Sequence, residues 1–149
     1  MIEFWQEALL VAFIGGFVDL DSTATWQFMI SQPVVAAPLT GVFIGFFHGD
    51  VAGGLKLGLM VGTILQLVWI EQLPLGMNIP PDAALASVLA VGLGFLAGRN
   101  FGSYVEREVC YTVALLIAVG LGLIGRSMDI WIRRVNTSID HWVMARLEA

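Results

Sequence analysis

Residues 32–63 read QPVVAAPLTGVFIGFFHGDVAGGLKLGLMVGT, and the fold turns on this stretch. Its glycines recur every four residues, with Gly41, Gly45, Gly49 and Gly53 in one series and Gly54, Gly58 and Gly62 in another. Such a spacing lines one face of a helix with small residues, and in lipid these ridges let two backbones approach closely. The apolar runs on either side of Gly49-Asp50 are each about one membrane segment long, so the Gly-Asp pair is expected to turn the chain between them. A third ridge, Gly94, Gly98 and Gly102, follows further along.

The rest of the chain has the same character. Of 149 residues, 58% are hydrophobic and 13% charged, against the ~25% charged residues of an ordinary soluble domain. No Asp, Glu, Lys or Arg occurs from Ser22 to Gly49, from Ala83 to Gly98 or from Val109 to Gly125. A soluble core of this composition would lack the polar residues to cover its water-facing surface. Hydrophobic segments are expected at Ala8–Val18, Pro33–Gly49, Val51–Ile70, Asp82–Gly98 and Val109–Gly125. Gly15-Gly16, Pro38 and Lys56 fall inside three of them, and short Gly- or Pro-broken segments are a feature of transporters, where unwound backbone lines a cavity. The expected fold is an all-α membrane protein of four to five short, Gly/Pro-interrupted transmembrane or re-entrant helices plus a C-terminal amphipathic helix.

That last helix covers 127–149 and the membrane domain 1–126. Trp131, Val135, Ile139, Trp142 and Val143 share a helical face, while Arg133, Arg134, Thr137, Asp140 and His141 lie elsewhere. The pattern suits a helix lying at the bilayer interface, and equally one covering a partner subunit. Arg126, Arg133, Arg134 and Arg146 are four of the seven basic residues, which assigns the tail to the cytoplasmic side.

Several chemistries are set aside by composition. A formal charge of −5 offers no basic patch to neutralise the phosphates of a nucleic acid. The lone Cys110 excludes a disulfide framework and reads as a buried, inert thiol. His48 and His141 lack the neighbours of a metal site, no phosphate-cradling loop is present, and no nucleophile stands beside a base. No cofactor, metal or catalytic residue is therefore expected. His48 reads as a segment-end histidine meeting water. The acidic N-terminus, with Glu3 and Glu7, is unlike a signal peptide, so the first segment is read as retained.

Polar groups within apolar segments are expensive, which makes each a site candidate. They gather in two stretches, Asp19–Gln32 and Thr63–Asp82, which mix amides and carboxylates with Trp26 and Trp69. Sugars are bound by that mixture, since amides and carboxylates pair with hydroxyls and an indole covers the apolar side of the ring. Gln66 stands alone among apolar neighbours. Asp82, after Pro80-Pro81 and before Ala83-Ala84-Leu85, reads as a helix N-cap as readily as a ligand contact.

Gln32-Pro33-Val34-Val35-Ala36-Ala37-Pro38-Leu39-Thr40-Gly41-Val42-Phe43-Ile44-Gly45, closing on Gly49-Asp50, resembles the start of the mannose/sorbose-family IIC subunit of the sugar phosphotransferase system. The stretch from Gly62-Thr63 to Pro81-Asp82-Ala83-Ala84-Leu85-Ala86-Ser87 is similar to that family's most distinctive block. The likeness runs from about Ala8 to the tail and corresponds to the N-terminal part of the usual length. The chain departs from the family in offering Gln66 where a Glu is frequent, and in two extra residues between Gln27 and Pro33.

What the resemblance implies is a sugar-binding and translocating subunit in the bacterial cytoplasmic (inner) membrane, passing the membrane several times. It would act in an oligomeric complex with the IID membrane subunit and the IIA and IIB phosphocarriers, importing a hexose as IIB phosphorylates it. The phosphohistidines belong to those partners, so none is expected here. The candidate sugar contacts are Gln66 and Asn78, then Asp82, Thr63, Asp21 and Gln27. The alternative is a truncated or vestigial IIC with a regulatory or assembly role and no transport of its own.

Overall fold

The computed structural model describes residues 2–23, 28–70 and 81–147, which form five helices and, among those residues, no strand. These are α1 (Ile2–Thr23), α2 (Pro33–His48), α3 (Val51–Val68), α4 (Ala83–Gly98) and α5 (Tyr104–Leu147). Each expected segment maps onto one helix: α2, α3 and α4 match theirs to within two residues at either end, and α1 and α5 extend well beyond theirs.

The α2–α3 hairpin shows how closely the sequence dictates local structure. Pro33 opens α2, where its missing N–H has no helical partner to lose. Gly49 closes the helix at φ 73°, a left-handed conformation that favours glycine. The Asp50 N–H then donates to the Gly45 carbonyl at 2.8 Å, and the Asp50 carboxylate accepts the Gly53 N–H at 2.9 Å, starting α3. The chain thus reverses in two residues, at the expected turn.

Across the hairpin the glycines meet backbone. A β-carbon on Gly41 would strike the Gly54 carbonyl, and one on Gly54 would strike that of Gly41. One on Gly58 would meet the Ala37 carbonyl and Pro38 Cα, and one on Gly62 the Pro33 carbonyl. Each contact moves four residues back along α2 as it moves four forward along α3, so one antiparallel register is fixed over the full hairpin. Gly15-Gly16, Pro38 and Lys56 lie within continuous helices. Pro38 serves close approach to Gly58 and leaves α2 wound, as neighbouring helices in membranes permit.

The centre of the bundle is α4. It pairs antiparallel with α5, where Gly98 faces Tyr111, Gly94 faces Ala114 and Gly122 faces Ala86. Gly92 packs on Val11 of α1 and Ile44 of α2, and Gly94 also meets Leu57 of α3. Successive helices run in opposite directions, which creates two polar ends.

The packing is inverted relative to a water-soluble protein. Small residues dominate the inside, with Ala36, Ala37, Ala84, Ala86, Ala90, Ala114 and Ala118 all buried. Large ones face outward, among them Phe13, Phe17, Phe43, Phe46, Phe47, Leu59, Leu67, Leu116 and Ile117. In water such an exterior would aggregate; against lipid it has no cost, while small interior residues maximise helix contact. Two helices, α3 and α5, are long and apolar enough to cross a membrane, whereas α2 and α4 have 16 residues each. At 1.5 Å per residue, 16 residues span about 24 Å, short of a hydrocarbon core of ~30 Å.

Residue 126 does not break α5. Burial changes there instead: Ala114, Ala118 and Gly122 are buried, whereas every described residue from Trp131 onward is exposed. Cys110 is half-buried on the same helix.

The register argument carries a stability prediction. Gly58→Leu should destabilise the solubilised chain by about 1–3 kcal/mol or more, because its β-carbon meets backbone that cannot yield. Gly16→Leu should leave the melting temperature nearly unchanged, since nothing lies within 4 Å of a β-carbon there. Thermal unfolding in detergent compares the two, and equal effects would refute the seam.

Candidate functional site

Asp21, near the end of α1, is buried although it is a carboxylate. Both oxygens are taken by backbone: Oδ1 accepts the Phe28 N–H at 2.7 Å, and Oδ2 accepts those of Ile30 at 2.7 Å and Ser31 at 3.3 Å. Between these donors Met29 sits at φ 65°, a conformation unfavourable for a residue with a β-carbon. Asp21 therefore holds the strained turn that leads the chain into α2, by charge-assisted bonds that a neutral side chain would make more weakly.

The same end of the bundle contains Gln66. From the last turns of α3 it reaches across the glycine seam, its Nε2 donating to Gln32 Oε1 at 3.2 Å and its Oε1 accepting the Val34 N–H at 3.4 Å. Gln32 is the N-cap position of α2, so the amide pair sits where that helix begins. Both bonds are longer than the ~2.9–3.0 Å usual for N–H···O contacts. Thr63, one turn earlier on α3, is exposed and its hydroxyl donates to the Leu59 carbonyl at 2.7 Å.

Asp82 starts α4 at this end. Its Oδ1 accepts the Leu85 N–H at 2.8 Å, and its own N–H donates to the Gly122 carbonyl at 3.1 Å. The N-cap role is therefore realised. Asp82 is half-buried, and Asp19 and Asp129 lie close enough to act on it electrostatically. Trp69 is half-buried on the neighbouring turn of α3, its indole beside Gly122. Four candidates, Asp21, Thr63, Gln66 and Asp82, thus share one end of the bundle. Gln27, Asn78, Trp26 and Glu71 lie outside the described residues.

Sequence reasoning missed the opposite end. Arg99, the C-cap of α4, donates from Nη1 to Glu7 Oε1 of α1 at 2.8 Å and lies 2.7 Å from Nδ1 of His48, the last residue of α2. His48 Nε2 is 3.5 Å from the same Glu7 oxygen. The segment-end position expected of His48 is correct, but the ring is half-buried in a three-helix polar cluster. The three residues are 92, 51 and 41 apart in sequence, beyond any local pattern. Among the described residues no group of three His, Cys, Asp or Glu side chains is placed to hold a metal ion.

An apolar exterior, a small-residue interior and polar clusters at the two ends of the bundle define an all-α membrane protein. The chain belongs to the family described as the sorbose-specific IIC component of the phosphotransferase system (PTS), whose model matches residues 5–149. It is 24% identical over 131 residues to the mannose-specific EIIC component of Escherichia coli K12, covering 88% of this chain and 40% of that one. With the fructose permease IIC component of Bacillus subtilis 168 it shares 28% over 134 residues, 89% of this chain and 41% of the other. The putative N-acetylgalactosamine permease IIC component 2 of Escherichia coli K12 is 28% identical over 112 residues, 75% of this chain and 71% of that one. The chain thus spans about two fifths of the mannose and fructose relatives. No solved structure matches it.

The Asp21 turn can be tested directly. Asp21→Ala removes the acceptor for three N–H groups and should lower the melting temperature in detergent, with Asp21→Asn, which keeps one oxygen, falling between it and the parent. An Asp21→Ala chain as stable as the parent would show that the carboxylate does not hold the turn.

Proposed function

We propose that this chain supplies the sugar-binding and translocating part of a mannose-type phosphotransferase permease, admitting a hexose or related sugar that IIB phosphorylates at the cytoplasmic face. The observation that carries the reading is the Gln66–Gln32 pair, two amides joined across the α2–α3 seam by one long bond. An amide offers both donor and acceptor, so each can exchange its partner for a sugar hydroxyl without leaving a polar group unsatisfied. The relatives support a carbohydrate ligand, being named for mannose, fructose and N-acetylgalactosamine.

In this reading Gln66 and Asn78 bind hydroxyls, with Thr63, Asp82 and Gln27 as flanking contacts. Asp21 contributes by holding the turn before Gln32. The indole of Trp69 is available to the apolar face of a sugar ring. The complex includes the IID membrane subunit and the IIA and IIB phosphocarriers, and the chain resides in the bacterial cytoplasmic membrane with several passes. Residues 1–126 form the membrane domain and 127–149 a separate functional segment on the cytoplasmic side.

Labelled-hexose uptake and phosphorylation, in cells lacking their own mannose-type system but expressing the cognate IID and IIAB proteins, test the proposal. Uptake should vanish when this chain is omitted. Gln66→Ala should raise the KM for uptake roughly fivefold, the equivalent of one neutral hydrogen bond at about 1 kcal/mol, with membrane insertion unaltered. Uptake that does not depend on this chain, or is untouched by Gln66→Ala, would overturn the assignment of protein or residue respectively.

A further inference from the structure

α1 is held unevenly. Val11 packs on Gly92 and Gly15 lies beside Val88, both on α4. Toward α2, by contrast, a groove of about 340 Å³ remains, lined by Phe13 and Phe17 from one side and Phe43 and Phe47 from the other. Every side chain lining it is apolar. Beyond Leu10 and Phe47, at one end of this groove, α1 and α2 meet α4 in the Glu7–His48–Arg99 cluster.

The protonation state of His48 follows from its neighbours. A guanidinium has donors and no acceptor, so the Arg99 Nη1 contact at 2.7 Å requires a lone pair on Nδ1. The one proton of the ring is then on Nε2, 3.5 Å from Glu7 Oε1 and 3.4 Å from Nη1. The ring also lies against Phe95, with centres 5.9 Å apart, which offers no acceptor. A second proton would set N–H against N–H across the 2.7 Å contact. It would also bring a second cation to a carboxylate oxygen that Arg99 already engages at 2.8 Å.

Other charges near this end are occupied or remote. Asp50 accepts the Gly53 N–H, and Lys56, further along α3, is exposed. From α5, Tyr111 packs on Gly98 beside Arg99, and Arg107 and Glu108 are close enough to act on that phenol. Glu106, in the first turn of α5, is exposed.

We infer that Glu7, His48 and Arg99 form a proton-operated latch, which ties α1 and α2 to α4 while His48 is neutral and lets this end of the bundle open when His48 is charged. Histidine is the side chain that takes up a proton between about pH 5 and 8, and such protonation shifts the balance between two packings of an interface. α5 starts beside Arg99 and ends in the arginine-rich tail, so a cytoplasmic tail puts the latch on the outer face. There it meets the acidity of the medium. Its use as the outer gate for a sugar rests on the transport reading above; the latch itself does not.

Spin labels on Gln6→Cys of α1 and Asn100→Cys just past α4, in the full-length Cys110→Ser chain reconstituted in lipid without sugar, read the latch. A short distance should dominate at about pH 8, and a longer one should replace it as the pH falls toward about 5. His48→Gln, whose amide can accept from Arg99 but takes no charge, should keep the short distance throughout. His48→Lys, a permanent cation over this range, should show the longer distance even at about pH 8. A parent distance that does not change with pH, or a change that persists in His48→Gln, would overturn the inference. Because no sugar is present, failure of the transport reading leaves these outcomes untouched.

Discussion

The close approach of two backbones along α2 and α3 is the constraint on which the rest of the structure depends. At four glycines, Gly41, Gly54, Gly58 and Gly62, the facing helix presents backbone first, so carbonyls and α-carbons approach closely. Lipid gives apolar side chains no reason to leave it, and association must come from contact area instead. A seam of this kind admits a single register, because a shift by one residue would set β-carbons against backbone. The register in turn decides which polar groups can meet. It brings Gln66 to Gln32 at one end and leaves His48 at the other, beside Arg99 and Glu7.

Backbone geometry also sorts the polar residues by role. Asp21, Asp50 and Asp82 each accept backbone N–H groups at a turn or helix start, where the main chain has lost its regular partners. Within a membrane such donors are costly to leave unpaired, so these three carboxylates are engaged by the fold itself. The amides are different. Gln66 is tied to Gln32 and to the Val34 N–H by one long bond each, simple to exchange, which is why the proposed sugar contacts centre on the amides while Asp21 acts by shaping the turn.

Much of this was legible because it is local. A four-residue glycine period, a Gly-Asp turn and an Asp after two prolines are each read within one or two helical turns, and Gly49, Asp50 and Asp82 occupy the expected positions. The extent of α1 was hidden by Glu3 and Glu7, which look like the end of an apolar run although the helix begins at Ile2. The service of Asp21 to the turn after α1 depends on a loop path that no periodicity encodes. The Glu7–His48–Arg99 cluster required three helices to be placed first. The continuity of α5 was obscured by the change of composition at Arg126, which alters what the helix faces but not whether it is helical. Of the site, Gln66 was visible as a lone amide among apolar neighbours; its partner Gln32 followed only from the register.

A cross-link across the seam measures that register directly. Gln66 and Gln32 meet side chain to side chain at 3.2 Å, where α3 ends beside the start of α2, and neither is a seam glycine. With Cys110 replaced by serine, Gln32→Cys combined with Gln66→Cys should therefore be bridged by a short bifunctional thiol reagent in membranes, while cysteine at 64 or 67 in place of 66 should not. Cross-linking at 64 or 67 in preference to 66, or none at any of the three, would contradict the glycine seam and with it the placement of Gln66 beside Gln32.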